Sequence, residues 1–285
     1  MKTIRCNQNF LSRYNYLKKS GKKFKISKTS SSHIIEVGNK KYIYSGSHIN
    51  KKEMIMQIKI KSEIVKNLPN LSNNTKSLMN NIVKTNYFKF HNKMQSLDQT
   101  GEVVEINDVW EMDITKAYYQ TARNLGFISD DFYQKCLKIP KSWRLRLLGS
   151  IATKKIIEHY DKTNLDSIEI KTDKVLRSVW DTITNQVDKC MSDCSEMIQK
   201  HFLFYWVDGI YFVEKSGHKK LCKNLINFVM EQYDYECTIE KLDRVEAVSL
   251  KRQIRLYVYK DGKKKSEFSV PKKRIKKSYL SSEKN

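Results

Sequence analysis

The sequence predicts an α+β fold, an antiparallel sheet backed by helices, with a small basic α/β region ahead of it. Three observations lead there. From residue 103 onward the apolar pattern reads strand, helices, one long helix, a strand pair, a helix and further strands, an order that suits an antiparallel sheet with helices on one face. Gly38-Asn39, Asp208-Gly209 and Asp261-Gly262 sit between apolar runs at hairpin spacing. The chain has 285 residues, 40% of them hydrophobic, enough for one large domain or two small ones with a real core.

The elements follow in order. The first thirty residues are basic and polar, and Lys-Lys-Ser-Gly-Lys-Lys-Phe-Lys from Lys18 reads as a mobile loop. Residues 33–44 alternate apolar and polar side chains around Gly38-Asn39, a hairpin signal. Over 50–67, Met54, Ile55, Ile58, Ile60, Ile64 and Val65 follow a helical stripe, which Leu68-Pro69-Asn70 breaks. A second, polar helix is expected over 74–94, and 96–101 reads as a linker. That linker separates a basic N-terminal region, 1–100, from a second region, 101–270.

One or two strands are expected over 103–114. A helix from Thr115 carries Ala117, Tyr118, Thr121, Ala122 and Leu125 on one face and stops at Gly126. Another starts near Asp130, breaks at Pro140 and resumes from Lys141 towards His159. A long amphipathic helix covers 173–200, its period set by Leu176, Val179, Ile183, Val187 and Met191. The Asp208 hairpin, a helix over 219–233, an extended stretch over 237–250 and a closing hairpin around Asp261-Gly262 complete the pattern. The basic tail 271–285 reads as flexible, a solvated charge run.

The charge is unusual: 54 Lys and Arg against 31 Asp and Glu leave +23. Such an excess points to a polyanion such as DNA, although an AT-rich coding bias also raises lysine content. No apolar stretch approaches the ~18 residues of a spanning helix, and the N-terminus lacks the apolar core of a signal peptide. The expectation is an intracellular protein with no membrane partner, cytoplasmic in a bacterial or phage-infected cell and nuclear in a eukaryotic host. Six cysteines, Cys6, Cys136, Cys190, Cys194, Cys222 and Cys237, include no Cys-x-x-Cys pair, which argues against a disulfide framework or a zinc ribbon. Cys190 and Cys194, with His201 beyond, read as small core-facing residues rather than a metal site.

Two aspartates carry the chemistry. Asp113 ends the strand pattern of Val-Trp-Glu-Met-Asp-Ile-Thr-Lys-Ala-Tyr-Tyr, and Asp208 lies at the turn of Phe-Tyr-Trp-Val-Asp-Gly-Ile-Tyr-Phe-Val. A carboxylate is costly beside so much apolar surface unless something cationic sits against it. Two brought together can share a pair of divalent ions and catalyse in-line phosphoryl transfer. The plainer readings are a helix N-cap for Asp113 and a type I′ Asp-Gly turn for Asp208. Glu111, two residues before Asp113, points to the same side of the strand, either assisting or standing as an edge residue. Lys141 and Arg144 share a helix face, able to grip a triphosphate or simply to be solvated.

At these residues the chain resembles the palm of family B DNA polymerases, in a reduced phage or mobile-element form without a proofreading exonuclease domain. The family's first motif is Asp-x-x-Ser-Leu-Tyr-Pro-Ser; Asp113-Ile-Thr-Lys-Ala-Tyr118 keeps its aspartate and tyrosine. The third is Tyr-x-Asp-Thr-Asp-Ser or Gly; Asp208-Gly209 matches its second aspartate, and Trp206 replaces the first. Lys141-Ser-Trp-Arg-Leu-Arg-Leu-Leu-Gly149 keeps the lysine and glycine of Lys-x-x-x-Asn-Ser-x-Tyr-Gly, with Leu145 where Asn is expected. Arg255-Leu-Tyr257 is similar to Lys-x-Tyr.

The resemblance implies that Asp113, Asp208 and the Ile114 backbone carbonyl bind two Mg²⁺, with Mn²⁺ as a substitute. It implies that Lys141, Arg144 and Gly149 contact the dNTP and that Tyr118, under the sugar, excludes a 2′-hydroxyl. Arg255 and Tyr257 would hold the primer end. It also implies a palm over 101–270 with a short fingers insertion at about 126–160, completed by a protein partner. The expected activity is template-directed nucleotidyl transfer to a primer 3′-hydroxyl. The alternatives are a reverse transcriptase, whose Tyr-Val-Asp-Asp motif Trp-Val-Asp-Gly resembles, and an inactive polymerase-derived nucleic-acid-binding protein.

Overall fold

The computed structural model describes residues 2–6, 10–28, 32–45, 51–83, 87–90, 101–153, 155–161, 164–214 and 218–272. In chain order these begin with β1 (Lys2–Cys6), α1 (Phe10–Lys19), β2 (Phe24–Lys28), β3 (Ser32–Val37), β4 (Lys40–Ser45), α2 (Lys51–Asn67) and α3 (Asn73–Asn80). Next come β5 (Phe88–Phe90), β6 (Val103–Asn107), β7 (Val109–Ile114), α4 (Ala117–Asn124), α5 (Asp130–Leu137) and α6 (Lys141–Gly149). The strands β8 (Lys155–Asp161) and β9 (Asn164–Lys171) precede α7 (Lys174–Ile198), β10 (Phe202–Trp206), β11 (Gly209–Val213) and α8 (His218–Tyr233). The last four strands are β12 (Cys237–Lys241), β13 (Arg244–Ser249), β14 (Gln253–Lys260) and β15 (Lys263–Pro271). The architecture is mixed, and among the described residues every pairing but β1 with β4 is antiparallel. Among the described residues no helix is long and apolar enough to cross a membrane.

The chain forms two compact units, each from two stretches: Met1–Ile82 with Leu125–Thr182, and Val83–Asn124 with Ile183–Asn285. This differs from a single boundary at 96–101. The reason lies in residues 125–171, which include the expected fingers insertion: β8 pairs with β2 and so joins the N-terminal sheet.

The first unit holds a six-stranded sheet in the order β1-β4-β3-β2-β8-β9. One face is sealed by α1, with Leu17 packed among Phe24, Ile26, Ile35, Tyr42 and Tyr44. A helical part packs α2 against α6. The buried side of α2 is Gln57, Ile60 and Ile64, while Ile58 and Val65 of the expected stripe are exposed.

The second unit has three layers. A five-stranded sheet, β12-β7-β11-β10-β5, lies between helices and a four-stranded sheet, β15-β14-β13-β6. The run β7-α4-α7-β10-β11-α8-β12 puts the first strand between the last strand and the hairpin, the spatial order of the split β-α-β motif. On the helical side, Met112, Ile114, Ile210 and Phe212 pack with Val187 and Met191 of α7 and Leu225 and Val229 of α8. On the other side Phe204, Tyr211, Leu256, Val258 and Val270 fill the space between the sheets.

Three expected elements differ. The lysine-rich loop at 18–25 is instead the end of α1, a short turn and the start of β2, because Leu17, Phe24 and Ile26 are drawn into the core. The polar helix over 74–94 ends at Asn80, and Phe88–Phe90 is an edge strand. Phe88 and Phe90 alternate with Lys89, a period of two that buries both rings. The helix from Lys141 ends at Gly149, and the β-branched pairs of 156–170 form β8 and β9. The linker at 96–100 and the tail from 273 lie outside the described residues.

Candidate active site

Strand register brings Asp113 and Asp208 together. Asp113 of β7 stands opposite Gly209 of β11, and the Ile114 N–H donates to the Asp208 carbonyl at 3.0 Å. That bond makes Asp113 and Gly209 a non-hydrogen-bonded pair, whose Cα atoms lie about 4.5 Å apart. A strand residue directs its N–H and C=O towards the same neighbour, so the Ile114 carbonyl also faces the Asp208 turn. Asp113 is exposed and Asp208 half-buried.

Neither plainer reading describes these residues. Helix α4 begins at Ala117, four residues beyond Asp113. In the hairpin, Trp206 pairs with Gly209, so the two loop residues are Val207 and Asp208. Val207 adopts φ 59°, an outlier for a β-branched residue of the kind that concentrates at functional sites.

Side chains of β7 and its neighbours form two cross-strand rows on one face. The outer row is Thr238, Asp113, Gly209 and Trp206; the inner is Glu240, Glu111, Tyr211 and Phe204. In the outer row Gly209 leaves a gap. A Cβ there would stand 3.6 Å from Glu111 Oε1 and 3.7 Å from Asp113 Oδ1, ordinary contact distances. The Gly209→Ala variant is therefore expected to fold, with thermal stability unchanged or raised by up to about 1 kcal/mol. Titration calorimetry is expected to show weaker divalent-metal binding, because the added methyl occupies the space beside Asp113. Unchanged metal binding would count against that space being used.

Glu111 is already engaged. It is buried, accepts from the Tyr211 hydroxyl at 2.6 Å and is held by Lys265 Nζ, which also holds Glu240. Burial first, and the Glu111 charge second, push the Tyr211 hydroxyl far above its ordinary pKa. Glu111 thus supports the row beside Asp113 and is not an edge residue.

Tyr118 is the second residue of α4. Its hydroxyl stays protonated through burial first, then through the negative charge of Asp208. Asp188 of α7 adds to the same field. Its own pKa is raised, chiefly by burial, against the stabilising donors Tyr205 Oη, at 3.1 Å, and the Tyr87 N–H.

The turn after Asp113 is held by Gln120, which is buried and bonds the carbonyls of Thr115 and Glu236 and the Glu236 N–H. Sequence reasoning missed Gln120, Asp188 and Lys265. The available signal was a polar residue inside an apolar period: Gln120 within Tyr119–Ala122, and Asp188 beside Val187 and Met191.

The other expected site residues lie on other elements. Lys141, Arg144 and Gly149 belong to α6 of the first unit, where Lys141 is exposed and Arg144 donates to the Leu137 carbonyl at 3.2 Å. Arg255 and Tyr257 alternate with the buried Ile254, Leu256 and Val258, so they point away from the five-stranded sheet. Arg255 there meets Glu267 and the Tyr257 hydroxyl. Cys190 and Cys194 are fully buried in the helical core, as the plainer reading expected, and His201 bonds the Val213 carbonyl and Glu214.

Among the described residues no group of three or more His, Cys, Asp or Glu side chains comes together to hold a metal. The donors on offer are the carboxylates of two residues that the register makes neighbours, and one backbone carbonyl, with the Gly209 gap beside Asp113. Mg²⁺ is commonly held by one or two carboxylates, its remaining positions going to water and phosphate oxygens. The donor set fits such ions. A scan against protein-family models finds no match for the sequence, and a search of curated proteins finds none either.

Proposed function

We propose that the protein is a template-directed nucleotidyltransferase, a reduced DNA polymerase that extends a primer 3′-hydroxyl with dNTPs. One observation carries the reading: residues 95 apart in sequence become neighbours through the β7–β11 register, at the end of a sheet covered by helices on one face. The order strand, helices, hairpin, helix, strand, with an acid ending the first strand and another at the hairpin turn, is what a polymerase palm requires.

When bound, a pair of Mg²⁺ ions would activate the 3′-hydroxyl and neutralise charge on the leaving pyrophosphate. The protein's own contribution is positional. Asp113 is fixed by ladder pairing on both sides, to β11 and β12. Asp208 is fixed by a turn whose Val207 N–H donates to the Tyr87 carbonyl at 2.7 Å. Tyr118 keeps a neutral hydroxyl in the field of Asp208, where its ring would discriminate against a 2′-hydroxyl. The Trp206 ring packs on Phe88 and Phe268, so the position of the family's other aspartate serves the core, and the metal-binding carboxylates number two.

Primer extension with labelled dNTPs and Mg²⁺ or Mn²⁺, run on matched DNA and RNA templates, tests the reading. Extension on DNA is expected. Preference for RNA would favour a reverse transcriptase, and no incorporation with either metal would overturn the assignment.

A further inference from the structure

We propose that the lysine-rich end of the six-stranded sheet is a binding surface for single-stranded nucleic acid. The observations lie in the first unit and are separate from Asp113 and Asp208. Residues 1–50 contain 11 Lys and Arg and one acid, Glu36, whereas the other 235 residues contain 43 and 30. A coding bias towards lysine acts along the whole chain. It does not account for the near-absence of acids from this one segment.

The fold concentrates these charges. The register places Lys2 of β1 opposite Lys40 of β4, with the Lys2 N–H bonded to the Asn39 carbonyl. Antiparallel pairing of β2 with β3 sets Lys25 opposite Glu36, so the start of β2, after Lys22 and Lys23, lies at the same sheet end as the β3–β4 turn. Helix α1 delivers Lys18 and Lys19 there in its last turn. Six lysines from four segments therefore share one end of the sheet: Lys2, Lys18, Lys19, Lys22, Lys23 and Lys40. All but the half-buried Lys18 are exposed. Acids at this end include Glu36, occupied by Lys25 and Lys41, and the exposed Asp166 of β9, which lines one cleft with Lys23.

Like charges gathered this way repel one another and reduce stability in the absence of a polyanion. Tyr16 is 61% exposed on α1, one turn before Lys19 and on the same face. Cations that track a backbone, next to an exposed ring on which bases stack, are the components of sequence-tolerant single-strand binding. An anionic membrane fits less well. Basic helices that bind bilayers insert an apolar face, whereas Phe10, Tyr14 and Leu17 of α1 are packed on the sheet.

The test compares the wild-type chain with a Lys18→Gln, Lys19→Gln, Lys22→Gln, Lys23→Gln variant and with Tyr16→Ala. Affinity for a fluorescent 20-nucleotide single strand is measured between 50 and 200 mM salt. Each phosphate contact contributes about 0.7 to the salt slope on a single strand. The quadruple variant is expected to lose about 2–3 from that slope and at least roughly tenfold in affinity at 100 mM, while its melting temperature rises. Tyr16→Ala is expected to weaken the single strand more than a duplex. An unchanged slope would overturn the proposal, as would loss of binding to phosphatidylserine vesicles with single-strand binding intact. A lower melting temperature with lost binding would assign the lysines to structure and equally overturn it. The polymerase reading is separable, because its test is nucleotide incorporation by the wild-type chain and not affinity for the strand. A wild-type chain that binds through these lysines and incorporates no nucleotide would retain this surface and remove that reading.

Discussion

Primer extension is expected to fall by on the order of 10²–10³-fold or more in Asp113→Asn and in Asp208→Asn, the scale on which preorganised electrostatic groups contribute to catalysis. The substitutions keep the shape of each side chain and remove the charge that holds the metal. Stability is expected to move the other way. Asp113 is exposed, and the β7–β11 register sets it diagonal to Asp208. Like charges in water repel by at most roughly 1 kcal/mol even at about 4 Å, so removing one is expected to leave each variant melting at or slightly above the wild-type temperature. Activity lost with stability kept is the signature of a functional site. Parallel loss of both would make the aspartates structural.

The second large effect concerns the hairpin that carries Asp208. Phe204 is fully buried between the two sheets, stacked on Tyr211 with centroids 4.2 Å apart and on Phe90 at 5.9 Å, with the Phe268 edge at 6.2 Å. Phe204→Ala would leave a cavity walled by rings anchored in three other strands, which cannot collapse to fill it. The expected loss is about 3–5 kcal/mol, a large part of the ~5–15 kcal/mol that holds a typical domain together. Urea denaturation measures it, and Phe204→Leu is expected to recover about half. A loss below about 1 kcal/mol would mean that the sheets do not close on this residue.

The sequence made some of this legible and hid the rest for identifiable reasons. The Asp208 hairpin, α7 and the closing hairpin could be read because their periods are long and their turns chemically marked. Apolar residues such as Ile156 and Ile157 fit either period over so short a stretch, so the helix expected to run towards His159 gives way there to β8. Its pairing with β2 is a long-range event with no local signal, and it moved residues 125–171 into the N-terminal unit. The neighbourhood of Asp113 and Asp208 followed from alternation and strand order. The support around them did not, because Lys265 reaches Glu111 across 154 residues and Gln120 reaches Glu236 across 116. Arg255 and Tyr257 show the limit of a short motif: alternation along β14 turns both away from the sheet that carries the acids.

The central claim is that Asp113 and Asp208 jointly hold divalent ions beside a nucleotide. Anomalous diffraction from crystals grown with Mn²⁺ and a non-hydrolysable dNTP tests it most directly. The account predicts manganese coordinated, at on the order of 2 Å, by oxygens of both aspartates, with a phosphate oxygen completing the sphere. Manganese elsewhere would contradict it, as would carboxylate oxygens more than about 8 Å apart, too far for ions spaced ~3.5–4 Å to bridge.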